Sequence, residues 1–162
     1  MSGLSDISTG GAPTGGPGLP GGFDAVVEDF QALEESDRLV LLLEFANSLP
    51  DLPERLAAHR EVMEAVPECQ SPVFVHVEVE GTGPTAPVQV FLSAPREAPT
   101  TRGFAAILAE GMTGLDAQGV LSVPDDVPDR LGLDRAVSML RLRGMSGMLG
   151  RIQRQVREKA GA

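Results

Sequence analysis

This chain carries one thiol, at Cys69. It stands in Pro67-Glu68-Cys69-Gln70-Ser71-Pro72, between two prolines. Each proline fixes its own φ and pushes the preceding residue towards extended geometry, so the spacing predicts a stiff loop that presents the sulfur. A free cysteine is often a small buried hydrophobe of no chemical consequence. Polar neighbours in a proline-bounded loop argue instead for a thiol on a rigid support. Its chemistry is nucleophilic, and the nucleophile is the thiolate, scarce at neutral pH for a thiol of unperturbed pKa about 8.5. Adjacent Glu68 opposes ionisation, so any activating positive charge must come from elsewhere in the fold or from a partner.

Arg141 is the best internal source of that charge. At 100° per residue it shares a helix face with Met145, Met148 and Ile152, the stripe expected to bury. An arginine there needs hydrogen-bond partners or an anion. A Cys-His pair with His59 or His76 is the enzymatic alternative, a stand-alone thiol transferase. His76 has charged neighbours on its own side of a strand and reads better as a half-buried or solvated side chain. The two histidines and the cysteine match no metal-ligand spacing. The glycines near the N-terminus form no phosphate-binding loop, since no strand precedes them and no Gly-Lys-Ser/Thr follows. No Gly-x-Ser-x-Gly elbow is present.

Charge separates two regions. From Arg130 to Lys159, eight basic side chains face two acidic ones, a net of +6; the whole chain carries −10, which leaves −16 on the remainder. The acidic majority repels phosphate and argues against a global affinity for nucleic acid. A nucleic-acid module working through the basic C-terminal helix remains a rival, though no Phe lies beyond residue 104 to stack on bases. Docking of an acidic partner suits those arginines better. A lone cysteine closes no internal disulfide, which favours a reducing compartment. No apolar run approaches the roughly 18 residues of a membrane span, and the start has neither a basic region nor an apolar signal core. The expectation is a cytoplasmic protein.

The elements that must position Cys69 follow from periodicity. Residues 1–22 hold eight Gly and three Pro and read as a flexible tail, with one domain over 23–162. Val26, Val27, Phe30 and Leu33 make a first helical stripe. Ser36 reads as an N-cap, with Leu39, Leu42, Leu43 and Ala46 as the next stripe and Pro50 beyond it; the two helices should pack as an antiparallel pair. Val73, Val75, Val77 and Val79 alternate with Phe74, His76 and Glu78, the clearest strand, and Val88 to Leu92 answers it as an antiparallel partner across a Gly-rich turn. Thr100 to Met112 is helical, 114–128 is loop-rich with room for a short helix, and a long helix runs from about Leu140 to Ala160. This order indicates an α+β fold.

Four ordered segments resemble one family. Val66-Pro67-Glu68-Cys69-Gln70-Ser71-Pro72-Val73-Phe74 is similar to the signature of the SufE family, a Cys-Gln-Ser followed by a short hydrophobic strand. Leu39 to Leu52, ending Asn47-Ser48-Leu49-Pro50-Asp51-Leu52, resembles its second helix and Leu-Pro-x-Leu exit. Arg102-Gly103-Phe104 falls where the family opens a helix, and Arg141-x-x-Gly144 resembles its closing helix. Two departures stand out: Glu68 replaces the usual glycine, and the proline usual before Arg141 is missing. The resemblance implies helices packed on a small antiparallel sheet, SufE/IscU-like. It implies a sulfur acceptor of iron–sulfur cluster assembly, with persulfide carried on Cys69 and Arg141 as the matching arginine near it. The implied partners are a cysteine desulfurase (a PLP enzyme) or another donor such as a rhodanese-type sulfurtransferase, and a cluster scaffold as recipient. No cofactor of its own is implied.

Overall fold

The computed structural model describes residues 18–161. In chain order it holds α1 (Phe23–Gln31), α2 (Glu35–Ala46), short α3 (Glu54–Ala57), β1 (Glu64–Ala65), β2 (Phe74–Val79), β3 (Val88–Ser93), α4 (Pro99–Met112), α5 (Ala117–Leu121), α6 (Val127–Arg130) and α7 (Met139–Ala160). The strands form one antiparallel sheet in the order β1-β2-β3. Val75 pairs with Leu92, Val77 with Val90 and Val79 with Val88. These residues share one face, which α7 and α4 cover. His76 pairs with Phe91 and Glu78 with Gln89 on the other face, which is only partly shielded. Alternation in the sequence thus becomes one buried and one wetted side of the sheet.

The core helix is α4. Gly103, Phe104, Ala105, Ala106, Ile107 and Leu108 are all buried, a run without a polar face that suits a helix enclosed on every side. It packs on α2, β3, α7 and α1. The long helix α7 buries Met145, Met148, Leu149, Ile152 and Val156 in the same core. This is the expected α+β arrangement.

Several local expectations need correction. The sheet has a third strand, β1, which is two residues long and too short for alternation to show. Ser36 is not the cap of α2, which begins at Glu35 with Glu34 in the cap position. Leu43 is exposed, and α2 packs chiefly on α4; its contact with α1 is narrower, made by the stacked Phe30 and Phe45 rings and by Arg38 on Phe30 O. The expected flexible tail lies outside the described residues up to position 17. Beyond that, Leu19 N donates to Asp24 Oδ1 (2.8 Å) and Gly22 N to Gly111 O (3.1 Å).

Candidate functional site at Cys69

Cys69 sits in the connection between β1 and β2. The Val66 N–H donates to Val73 O at 2.9 Å and closes that hairpin. Pro67–Cys69 forms a 3-10 turn, in which Cys69 N donates to Val66 O and Gln70 N to Pro67 O, each at 3.1 Å. Gln70 then adopts φ 57°, the one left-handed non-glycine among the described residues. That conformation costs of order 1 kcal/mol and persists only where the surroundings enforce it. It reverses the chain towards β2 and leaves Cys69 at the apex, facing α7.

The seat for the thiol is a glycine. Cys69 Sγ lies 3.6 Å from Gly144 O, a weak S–H donor contact. A Cβ at position 144 would come within 3.1 Å of the sulfur and 3.4 Å of Cys69 Cα. One turn on, a Cβ at 147 would meet the Glu68 carboxyl carbon at 3.0 Å. The two small positions let the turn lie directly on the helix backbone.

The thiol is half-buried. Desolvation, reinforced by the Glu68 charge and partly offset by Arg151, pushes its pKa up to about 11. Seated this way, the thiol is held in its protonated form at neutral pH. A cleft of about 760 Å³ opens beside it, lined by Glu68, Cys69, Gln70, Glu97, Leu140 and Arg141 among others. Pro99 and Thr100 at the start of α4, and the Ser138 cap of α7, also face the cleft. Two helix N-termini therefore border the cleft beside the sulfur.

Arg141 is brought to this cleft, but it is not buried. It is exposed in the first turn of α7, and Met139 and Leu140 beside it are exposed too. The stripe it shares with Met145 and Met148 runs out of the core, because the first turn lies on the wall of the cleft, where Met139, Leu140 and Arg141 are all exposed. His59 pairs with Glu61, and His76 lies near Glu78 and Phe91; neither lines the cleft. Burial first and the Lys159 charge next lower the His76 pKa, against the opposing pull of Glu78.

Arg151 is the neighbour that periodicity did not single out. Its guanidinium pairs with Glu68 at 2.9 Å and with Glu64 at 3.4 Å. That contact holds the Glu68 carboxyl below its usual pKa. Burial works to raise the Glu64 carboxyl, but hydrogen bonds from Gln155 and Arg154 and the charges of Arg154 and Arg151 leave it lowered. Part of the basic C-terminal segment is thus paired within the fold: Arg151 and Arg154 have acidic partners, while Lys159 donates to the uncharged Val77 O. Gly144, Gly147 and Arg151 fall at i, i+3 and i+7, one helix face, and that spacing was the available signal.

Residues 24–156 match the family model for the "Fe-S metabolism associated domain", SufE. The chain belongs to the SufE family. An uncharacterized SufE-like protein of Mycobacterium tuberculosis is 52% identical over 140 residues, covering 86% of this chain and 94% of the relative. A SufE-like protein of Rhizobium etli is 26% identical over 142 residues, covering 86% and 93%. A hypothetical protein of Thermus thermophilus, solved in solution, superposes with a TM-score of 0.73 at 36% identity, covering 89% of this chain and 99% of that one. Membership places this SufE-like chain in iron–sulfur metabolism. No helix among the described residues is long and apolar enough to cross a membrane.

Proposed function

We propose that this SufE-family chain is a sulfur carrier: Cys69 accepts persulfide sulfur from a cysteine desulfurase and passes it on for iron–sulfur cluster assembly. The observation that carries this reading is the placement of Cys69, the chain's one thiol, at the apex of a hairpin connection and on the wall of an open cleft. In the transfer, Cys69 thiolate attacks the outer sulfur of the donor persulfide. A new S–S bond forms on Cys69, the donor's S–S bond breaks, and the donor cysteine leaves as thiolate, with no net oxidation. A recipient thiolate then attacks the same outer sulfur, and Cys69 thiolate is the leaving group. The chain contributes presentation and shielding rather than a cofactor, and the donor is the enzyme.

The raised pKa has a consequence for this cycle. At rest the seated thiol is protonated, so it reacts once the docked donor shifts the turn off Gly144 or supplies positive charge. Arg141, exposed at the cleft rim, fits the role of holding the resulting thiolate or persulfide anion, aided by the N-termini of α4 and α7. The test is intact mass after incubation with a PLP-dependent desulfurase and free cysteine. Wild type should gain one sulfur atom, removable by reductant, and Cys69→Ala should gain none. A wild-type protein left unmodified by desulfurase and rhodanese-type donors alike would overturn the reading.

A further inference from the structure

Three positions on one face of α7 correspond to three positions of the β1–β2 segment. Gly144 receives Cys69, Gly147 makes room for Glu68, and Arg151 reaches back to the carboxylates of both Glu68 and Glu64. Arg151 Nη1 also donates to Gly147 O at 3.3 Å, which fixes the guanidinium over the gap it spans. It is the least exposed member of the group, at 24% against 34% for Glu64 and 42% for Glu68. One guanidinium therefore fastens both ends of residues 64–68, and Cys69 is the next residue along.

From this geometry we infer that the Glu68–Arg151 pair is an ionic latch that holds the Cys69 turn on α7, making both side chains positioning residues for the thiol. The inference rests on the sulfur-carrier reading for its purpose, though its test does not. The charged groups around Cys69 are Glu68 on its own turn, Arg151 and Arg141 on α7, and Glu97 before α4. Exposed pairs of this kind shift an equilibrium by up to about fivefold and weaken as salt screens them.

Latch and simple electrostatics predict opposite results at Arg151. Removing its positive charge raises the thiol pKa and slows the thiol if the turn stays seated. If the pair holds the turn down, its removal frees and hydrates the thiol, lowering the pKa and speeding reaction. The experiment measures Cys69 alkylation by iodoacetamide at about pH 8 on full-length wild type, Glu68→Gln and Arg151→Gln, in about 0.01 M and about 1 M salt. Thiolate is titrated in parallel by its ultraviolet absorbance, which no Tyr or Trp obscures in this chain. Both variants should alkylate about two- to fivefold faster than wild type at low salt, with lowered thiol pKa values. High salt should bring wild type up towards the variants and move the variants less than it moves wild type. Slower alkylation in Arg151→Gln, or a wild-type rate indifferent to salt, would overturn the latch. The salt comparison needs no substitution, so it stands even if a variant melts early. Failure to take up sulfur from a donor would overturn the carrier reading and leave these alkylation rates unaffected.

Discussion

At Cys69, burial and charge set the chemistry more than the residue's identity does. The fold pushes the thiol pKa up to about 11, mainly by desolvation and then by Glu68. A raised pKa in the folded state means the fold prefers the protonated thiol. The associated stability is complete below about pH 9 and is lost as pH rises through about 11. Because the thiol is only half-buried, we expect a loss of about 1 kcal/mol by pH 10.5, less than the unscreened shift implies. Urea unfolding of wild type and Cys69→Ser at about pH 8 and 10.5 reads this directly: the wild type should lose more stability than the variant. Equal losses would mean that the thiol is hydrated in the folded protein.

At the scale of elements, close backbone approach decides what packs where. The Arg102-Gly103-Phe104 segment that resembled the family's helix start shows why its glycine is there. A Cβ at 103 would lie 2.4 Å from Leu42 O and 2.8 Å from Leu42 Cδ1, so α2 and α4 cross in contact at this point. Helix propensity alone predicts that Gly103→Ala stabilises by about 1 kcal/mol. The contact with rigid backbone reverses the sign, and we expect a net destabilisation of about 1–3 kcal/mol in a thermal melt. The β2 edge is treated differently. Where β1 stops short, Gln155 on α7 accepts from Val77 N at 2.9 Å and Lys159 donates to Val77 O, so helix side chains complete the unpaired edge.

For the whole molecule, a few long-range polar ties join elements that hydrophobic packing alone would leave free to slide. Arg102 Nε donates to Ala46 O at the end of α2 (2.9 Å), and its Nη1 donates to Ala94 O just after β3 (2.6 Å). Arg38 joins α1 to the chain after α6 through Phe30 O (2.8 Å) and Gly132 O (2.9 Å). Arg102→Met keeps most of the stem but strands two carbonyls in buried surroundings, which should cost about 2–3 kcal/mol. For a chain of this size that corresponds to a Tm lower by about 4–12 °C. An unchanged Tm would mean that water replaces the guanidinium at both carbonyls.

Local periodicity and the backbone restrictions of neighbouring residues sufficed for the longer helices α1, α2, α4 and α7, the β2–β3 pairing and the proline-bounded Cys69 turn, but not for the one-turn helices α3 and α6. Valines alternating from Val73 to Val79 face the core as their period requires. Tertiary structure decided the rest. Strand β1 exists because β2 offers it partners, and its two residues carry no period of their own. Arg141 emerged at the cleft rim because its stripe outruns the core beneath it. Glu68, which in sequence only opposes ionisation of its neighbour, is paired with Arg151, 83 residues away. A pairing of that separation leaves no trace in either local pattern, since charge acts through distance in space and only the packing of α7 on the hairpin makes that distance short.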